Sequence, residues 1–83
     1  MYIHIGSDFQ VNSRDIIGIF DLDITSINDR TGKFLRNAEQ NGIVVTLGDD
    51  LPKSFVVISN CNGSKIYLSP LSCQTLRRRT ENN

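Results

Sequence analysis

The fold is decided by residues Tyr2–Asp23, which read Y-I-H-I-G-S-D-F-Q-V-N-S-R-D-I-I-G-I-F-D-L-D. Short apolar runs separated by the turn signal G-S-D predict β-strands at Tyr2–Ile5 and Phe9–Val11. A third strand, predicted over Asp15–Asp23, is apolar on both faces at Ile16–Ile19 and alternates afterwards. We therefore expect a central strand that is buried on both sides at its start and exposed on one side at its end.

Beyond this stretch, the sequence predicts a helix followed by three strands. The helix covers Ser26–Asn41, with Ser26 as the N-cap, Asp29 completing a capping box and Gly42 as the residue that ends it. Turn signals at Gly48–Asp50 and in the Asn-Gly pair of the segment 60–64 separate the strands. The predicted strands are Ile43–Leu47, Lys53–Ser59 and Lys65–Leu68.

A last helix closes the predicted fold. Ser69 and Pro70 are typical of an N-cap and a first helical position, and the helix is predicted over Leu71–Arg79. Strands dominate and short turns join most of them, which indicates an α+β fold. We expect a mostly antiparallel sheet with one packed helix and a short C-terminal helix at an edge. Residues 1–79 are predicted to form one domain, and residues 80–83 a disordered tail.

The composition describes a small neutral domain. Its 83 residues include nine Lys or Arg and nine Asp or Glu, so the formal net charge is zero. Free-standing nucleic-acid binders usually carry a basic excess, so this balance argues against strong DNA binding by a monomer. A chain of this length buries only about two-thirds of its unfolded surface, and self-association would add burial. Without a signal-peptide pattern or a membrane-length apolar run, we expect a cytoplasmic protein.

No pattern in the sequence indicates catalysis, a metal site or a cofactor, so we predict that the chain is not an enzyme. His4, the single histidine, has no partner at metal-ligand spacing. Asp21 and Asp23 share a strand face, but the residues after them do not complete a calcium-binding loop. Cys61 and Cys73 are twelve positions apart, which is not the spacing of a zinc or redox motif.

Positive charge is the remaining signal. Arg14 precedes the predicted central strand, and Lys53 begins a later one. Basic residues also step by three along the main helix at Arg30, Lys33 and Arg36. Most surface cations are simply solvated, and the run Arg77–Arg79 suits the C-terminal end of a helix dipole. The candidate nucleic-acid-binding residues are therefore Arg14, Lys53, Lys33 and Arg36.

Three blocks of the chain resemble the extracellular matrix regulatory family of bacteria. They are H-I-G-S-D-F-Q-V-N-S-R-D-I-I-G-I-F-D (His4–Asp21), P-K-S-F-V-V-I (Pro52–Ile58) and I-Y-L-S-P-L-S-C-Q-T-L-R-R-R (Ile66–Arg79). The resemblance covers nearly the whole chain and is closer to the RemB-like branch than to RemA. It is specific in the first and last blocks and weaker between Ile24 and Leu51.

The resemblance implies a DNA-binding transcriptional regulator of biofilm-matrix genes that forms a ring-like homo-oligomer. In the RemA branch an arginine near the start of the central strand carries DNA binding, and Arg14 matches it. That branch has a second basic group in the turn before the strand matching Lys53–Ser59, where this chain has Gly48–Asp50. Since two acids would repel phosphate, the alternative is a protein-interaction module, or a modulator of a related DNA-binding regulator, without direct DNA binding.

Overall fold

The described residues fold in the order β-β-β-α-β-β-β-α. The structure, a computed structural model, describes residues 1–6, 8–22 and 29–81, with side chains in the last range described from residue 32 onward. The elements are β1 (Tyr2–Gly6), β2 (Phe9–Asn12), β3 (Ile16–Asp21), α1 (Asp29–Gln40), β4 (Val44–Thr46), β5 (Ser54–Asn60), β6 (Gly63–Ser69) and α2 (Cys73–Glu81). A single 3-10 turn, Ser13–Asp15, joins β2 to β3.

Within the described residues, the strands form two sheets where the sequence predicted one. β1 and β2 make an antiparallel hairpin in which Ile3 lies opposite Val11. The other sheet has the order β3-β5-β6-β4 and is mixed, because β4 runs parallel to β6 while the remaining pairs are antiparallel. The α+β class is confirmed, and the prediction of one mostly antiparallel sheet was wrong.

The turn signal at Gly48–Asp50 does not close a hairpin between β4 and β5. Val44 of β4 instead lies opposite Ile66 of β6, and the segment 47–53 crosses the end of β6 to reach β5. The Leu47 N–H donates to the Leu68 carbonyl at 2.9 Å, and the Lys53 N–H donates to the Ser69 carbonyl at 2.8 Å. Both ends of this crossover loop are therefore anchored on neighbouring residues of β6.

β3 is an edge strand among the described strands, whereas the sequence predicted a central one. It pairs with β5, placing Ile19 opposite Val56, and the register shifts between Ile16 and Gly18. Ile19 is buried, but Ile17, the extra residue at that shift, is 67% exposed. The two-sided apolar pattern thus predicted a burial that a single chain does not supply.

Apolar side chains pack on both faces of the four-stranded sheet. Neighbouring residues of a strand point to opposite faces, so Phe55 and Val56 of β5 belong to different clusters. Phe55 packs in the cluster that contains Ala38 of α1. Val56 packs in the cluster that contains Ile5 of β1 and Leu76 of α2, which have no exposed surface. The β1–β2 hairpin and α2 therefore lie on one face, and α1 lies on the other.

Helix α1 ends in the way the sequence predicts. Gly42 has φ +71°, its N–H donates to the Glu39 carbonyl, and the Ile43 N–H donates to the Ala38 carbonyl, both at 3.1 Å. These two bonds form a Schellman motif with glycine at the position that requires a left-handed backbone. The predicted N-cap Ser26 lies outside the described residues, as does Asp23 at the predicted end of the third strand.

Helix α2 begins and ends later than predicted. Its N-cap is Ser72, whose hydroxyl oxygen accepts from the Thr75 N–H at 3.1 Å. The predicted N-cap Ser69 is instead fully buried, where its hydroxyl donates to the Ile5 carbonyl and accepts from the Leu71 N–H. The helix also continues through Thr80 and Glu81, which the sequence analysis assigned to the tail.

Candidate nucleic-acid interface

Arg14 lies in a turn that is fixed by hydrogen bonds to three other parts of the chain. Its N–H donates to the Asn12 side-chain oxygen at 3.1 Å, and the Ser13 N–H donates to the Met1 carbonyl at 2.8 Å. The Asn60 amide reaches the Asp15 carboxylate at 3.4 Å, which ties the turn to the end of β5. The exposed Arg14 side chain therefore extends from a fixed base, as a phosphate-contacting residue needs.

Lys53 lies at the other end of the β3–β5 pair. Its side chain is exposed, and its carbonyl accepts from the Leu22 N–H at 3.0 Å. Ile16 lies opposite Ile58 and Asp21 opposite Ser54, so the two strands run antiparallel between Arg14 and Lys53. At about 3.4 Å per residue, this places the two cations roughly 20 Å apart. A single chain does not bring them to one site.

Lys33 and Arg36 occupy a third location, on α1. Both are exposed and three residues apart, so they lie on one side of the helix. The Arg36 guanidinium lies over Gly32, with a nitrogen 3.5 Å from the position that a Cβ would take. The side chain of Arg30 is outside the described residues. The structure thus brings together Lys33 and Arg36, and it separates them from Arg14 and from Lys53.

Two residues of the arginine run hold α2 against the strands, a role that the sequence analysis missed. The Arg77 guanidinium donates to the Ile19 carbonyl of β3 at 3.2 Å, and that of Arg79 donates to the His4 carbonyl of β1 at 2.8 Å. The Cys73 thiol, one helical turn before Arg77, approaches the same Ile19 carbonyl at 3.7 Å. Arg77 and Cys73 thereby cover a main-chain acceptor on the outer edge of β3, where another strand would otherwise pair.

The crossover loop carries exposed acidic and apolar residues just before Lys53. Asp49 and Asp50 are both exposed, and Leu51 is 86% exposed. A phosphate that approaches Lys53 on a single chain therefore meets two carboxylates within four residues. This weakens Lys53 as a phosphate contact unless the loop is covered.

An open groove of about 470 Å³ follows β3, and the sequence analysis did not predict it. Ile17 and Phe20 supply apolar lining, while Ser13, Arg77 and Thr80 supply polar lining. The ring of Phe20 stacks on Phe55 with centroids 5.0 Å apart. The two-sided apolar run at Ile16–Ile19 is the sequence signal for this surface, although the same pattern also predicts a buried strand.

The Phe20 ring keeps its place in the groove because residue 18 is glycine. A Cβ at Gly18 would lie 2.6 Å from two ring carbons of Phe20, closer than carbon atoms approach. The ring therefore lies across the bare backbone of β3. This leaves Phe20 41% exposed along one wall of the groove.

The described residues contain no group of three or more His, Cys, Asp or Glu side chains that could hold a metal ion. His4 lies beside Gln10, with their side-chain nitrogens 3.0 Å apart, and both are exposed. Of the carboxylate pair Asp21 and Asp23 considered from the sequence, Asp23 lies outside the described residues. No helix in the described ranges is long and apolar enough to cross a bilayer.

These features define a small α+β domain that presents exposed cations and an open groove along β3 on a frame of two sheets. The sequence profile of the RemA-like family, described as extracellular matrix regulatory protein A-like, matches residues 2–80. The chain is also 42% identical over 81 residues to extracellular matrix regulatory protein B of Bacillus subtilis (strain 168), covering 98% of this chain and 91% of that relative.

The chain therefore belongs to the RemA-like family of extracellular matrix regulatory proteins, and the predicted resemblance to its RemB-like branch is confirmed. The Bacillus relative is named as a regulatory protein and not as an enzyme.

Proposed function

We propose that this protein is a DNA-binding transcriptional regulator of biofilm-matrix-type genes, acting in the cytoplasm as a ring-like homo-oligomer. The observation that carries the proposal is the exposed Arg14 on a firmly bonded turn, at the position that the family resemblance associates with DNA binding. Membership of a family of extracellular matrix regulators supports the kind of gene that is controlled.

A single copy is poorly suited to hold DNA. Its formal net charge is zero, and its candidate cations lie at three separate locations: Arg14, Lys53 and the pair on α1. One or two phosphate contacts give weak binding, because affinity for DNA depends on how many phosphates are neutralised. Several copies on one DNA segment raise the effective concentration of each contact, so assembly turns weak sites into usable avidity.

The exposed apolar surface of β3 supports self-association. Ile17 is 67% exposed and Phe20 is 41% exposed on an edge strand of a domain with a small core. Large apolar side chains that line one continuous groove are typical of an interaction surface.

DNA binding is tested by a gel shift of the purified full chain with AT-rich promoter DNA at about 50 mM salt, where phosphate contacts are strongest. We expect weak binding that Arg14→Ala reduces by about tenfold or more, since a charge-assisted contact is lost from every copy. Arg78→Ala is the matched control, because Arg78 is also exposed and its loss changes the net charge by the same amount. Equal losses in both variants would contradict a specific role for Arg14.

The second candidate function is a protein-interaction module or a modulator of a related DNA-binding regulator, without direct DNA binding. The exposed pair Asp49 and Asp50, together with the neutral net charge, favours it. Assembled protein that gives no gel shift at low salt would support this candidate and contradict DNA binding. A pull-down from native lysate should then recover a related regulator as a stable partner.

A further inference from the structure

The groove along β3, which we call the β3 groove, combines apolar walls with a cation. Its apolar walls come from Ile17 and Phe20, and Arg77 lies beside them. The Arg77 guanidinium donates one N–H to the Ile19 carbonyl. A guanidinium has five N–H donors, so others can bind a further acceptor. The β3 groove is therefore suited to an apolar side chain that is accompanied by a carboxylate.

The crossover loop presents that combination of groups. Leu51 is 86% exposed, the highest exposure among the large apolar side chains of the described residues, and it directly follows the exposed Asp49 and Asp50. We call these three residues the acidic knob. The backbone N–H groups of Leu47 and Lys53 donate to carbonyls of β6. The loop is therefore anchored to the sheet on both sides of the acidic knob.

We propose that the acidic knob of one copy seats in the β3 groove of the next copy. Leu51 packs between Ile17 and Phe20, and a knob carboxylate accepts from the Arg77 guanidinium. The inference rests on the self-assembly in the proposed function and names the two surfaces that produce it. Matching apolar surface and opposite charge on one chain identify a second copy as the occupant.

The position of the two surfaces makes the contact head-to-tail. The knob precedes Lys53 at the end of the β3–β5 pair where Asp21 lies opposite Ser54. The β3 groove reaches Ser13 and Thr80 toward the other end of the pair. A knob anchored at one end cannot fill the far end of its own groove. Contacts between two different surfaces repeat from copy to copy, and they form a ring when the rotation between copies closes.

This contact also unites cations that a single chain separates. Lys53 lies two residues after Leu51, and Arg14 directly follows Ser13 of the groove. Seating the knob brings Lys53 of one copy toward Arg14 of the next copy. It also pairs a knob carboxylate with the Arg77 guanidinium, which reduces the repulsion of phosphate by the knob. The nucleic-acid site is then shared between neighbouring copies.

The proposal is tested by size-exclusion chromatography with light scattering on the full chain, whose monomer mass is 9.3 kDa. We expect a multiple of this mass for the wild type and the monomer mass for Leu51→Asp and for Ile17→Asp. Both side chains are largely exposed in the single chain, so these changes leave folding intact, as circular dichroism will show. The matched control is Phe34→Asp, at a 47% exposed position on α1, which should remain an oligomer.

Mixing the two monomeric variants tests whether the knob of one copy contacts the groove of another copy, as opposed to knob-to-knob or groove-to-groove contact. Leu51→Asp keeps an intact groove and Ile17→Asp keeps an intact knob, so the mixture should give a complex of twice the monomer mass. A mixture that stays monomeric would overturn the knob-in-groove contact.

The remaining outcomes separate this inference from the proposed function. A Leu51→Asp variant that remains an oligomer would overturn the knob-in-groove contact and leave the proposed oligomer standing. A wild-type protein that is a monomer would overturn both the contact and the proposed oligomer. DNA binding is measured independently by the gel shift.

Discussion

At the scale of single residues, two buried serines join the sheets to the segment before α2. Ser54 and Ser69 are fully buried, and they lie opposite each other on β5 and β6. The Ser54 hydroxyl donates to the Leu71 carbonyl at 2.8 Å, and the Ser69 hydroxyl links the Ile5 carbonyl to the Leu71 N–H. Burial of these hydroxyls is tolerated because each one is hydrogen-bonded.

Ser69→Ala should destabilise the fold by about 1–3 kcal/mol, because it leaves the buried Ile5 carbonyl and the Leu71 N–H without their partner. Urea denaturation followed by circular dichroism measures the change. Ser64→Ala on the same strand is the control, since Ser64 is exposed and should change stability by less than about 0.5 kcal/mol. Equal midpoints for the two variants would contradict the structural role of Ser69.

At the scale of elements, α2 protects the edge strand β3. Cys73 and Arg77, one helical turn apart, both reach the Ile19 carbonyl, and Leu76 on the same helix has no exposed surface. The helix therefore blocks strand pairing at Ile19 while leaving Ile17 and Phe20 exposed beside it. This arrangement favours side-chain docking at β3 over the addition of another strand.

Ser72→Ala should loosen the start of α2 and cost about 1 kcal/mol, because the Thr75 N–H loses its capping acceptor. Amide hydrogen exchange should show faster exchange across the first turn of α2 than in the wild type. Gln74→Ala, an exposed position in the same turn, is the control and should leave the exchange rates unchanged. Unchanged exchange in Ser72→Ala would show that tertiary packing alone holds the helix.

At the scale of the whole molecule, assembly and DNA binding should be coupled. If neighbouring copies share the site, DNA affinity depends on the contact between copies as well as on the cations themselves. The acids at Gly48–Asp50, which argue against DNA binding in one chain, then lie at the boundary between copies. Their charge would serve assembly, and this accounts for acids in a loop beside a candidate phosphate contact.

Leu51→Asp should weaken DNA binding by at least about tenfold at low salt, because a monomer loses the avidity of repeated contacts. The slope of log affinity against log salt concentration should also be shallower for this variant, since a bound monomer neutralises fewer phosphates than a bound oligomer. Fluorescence anisotropy with labelled promoter DNA across a salt series measures both. A monomeric variant that binds with wild-type affinity and slope would contradict the coupling.

Local features of the fold were predictable from the sequence, because they depend on a few neighbouring residues. Gly42 ends α1 through its left-handed backbone, and the turn beginning at Asn60 closes the β5–β6 hairpin, with Asn60 opposite Gly63. Alternating apolar residues indicated most strands, and the sequence blocks indicated the family. The candidate cations could be named for the same reason, since charge is a property of the residue itself.

Only the tertiary structure decided which strands are neighbours and where the cations lie. The turn signal at Gly48–Asp50 shows that the chain changes direction, but it does not show that β4 pairs with β6. The apolar run at Ile16–Ile19 indicates surface that avoids water, but it does not show whether the chain itself or another copy covers that surface. Both questions depend on contacts between residues distant in sequence, which local periodicity and turn chemistry do not specify.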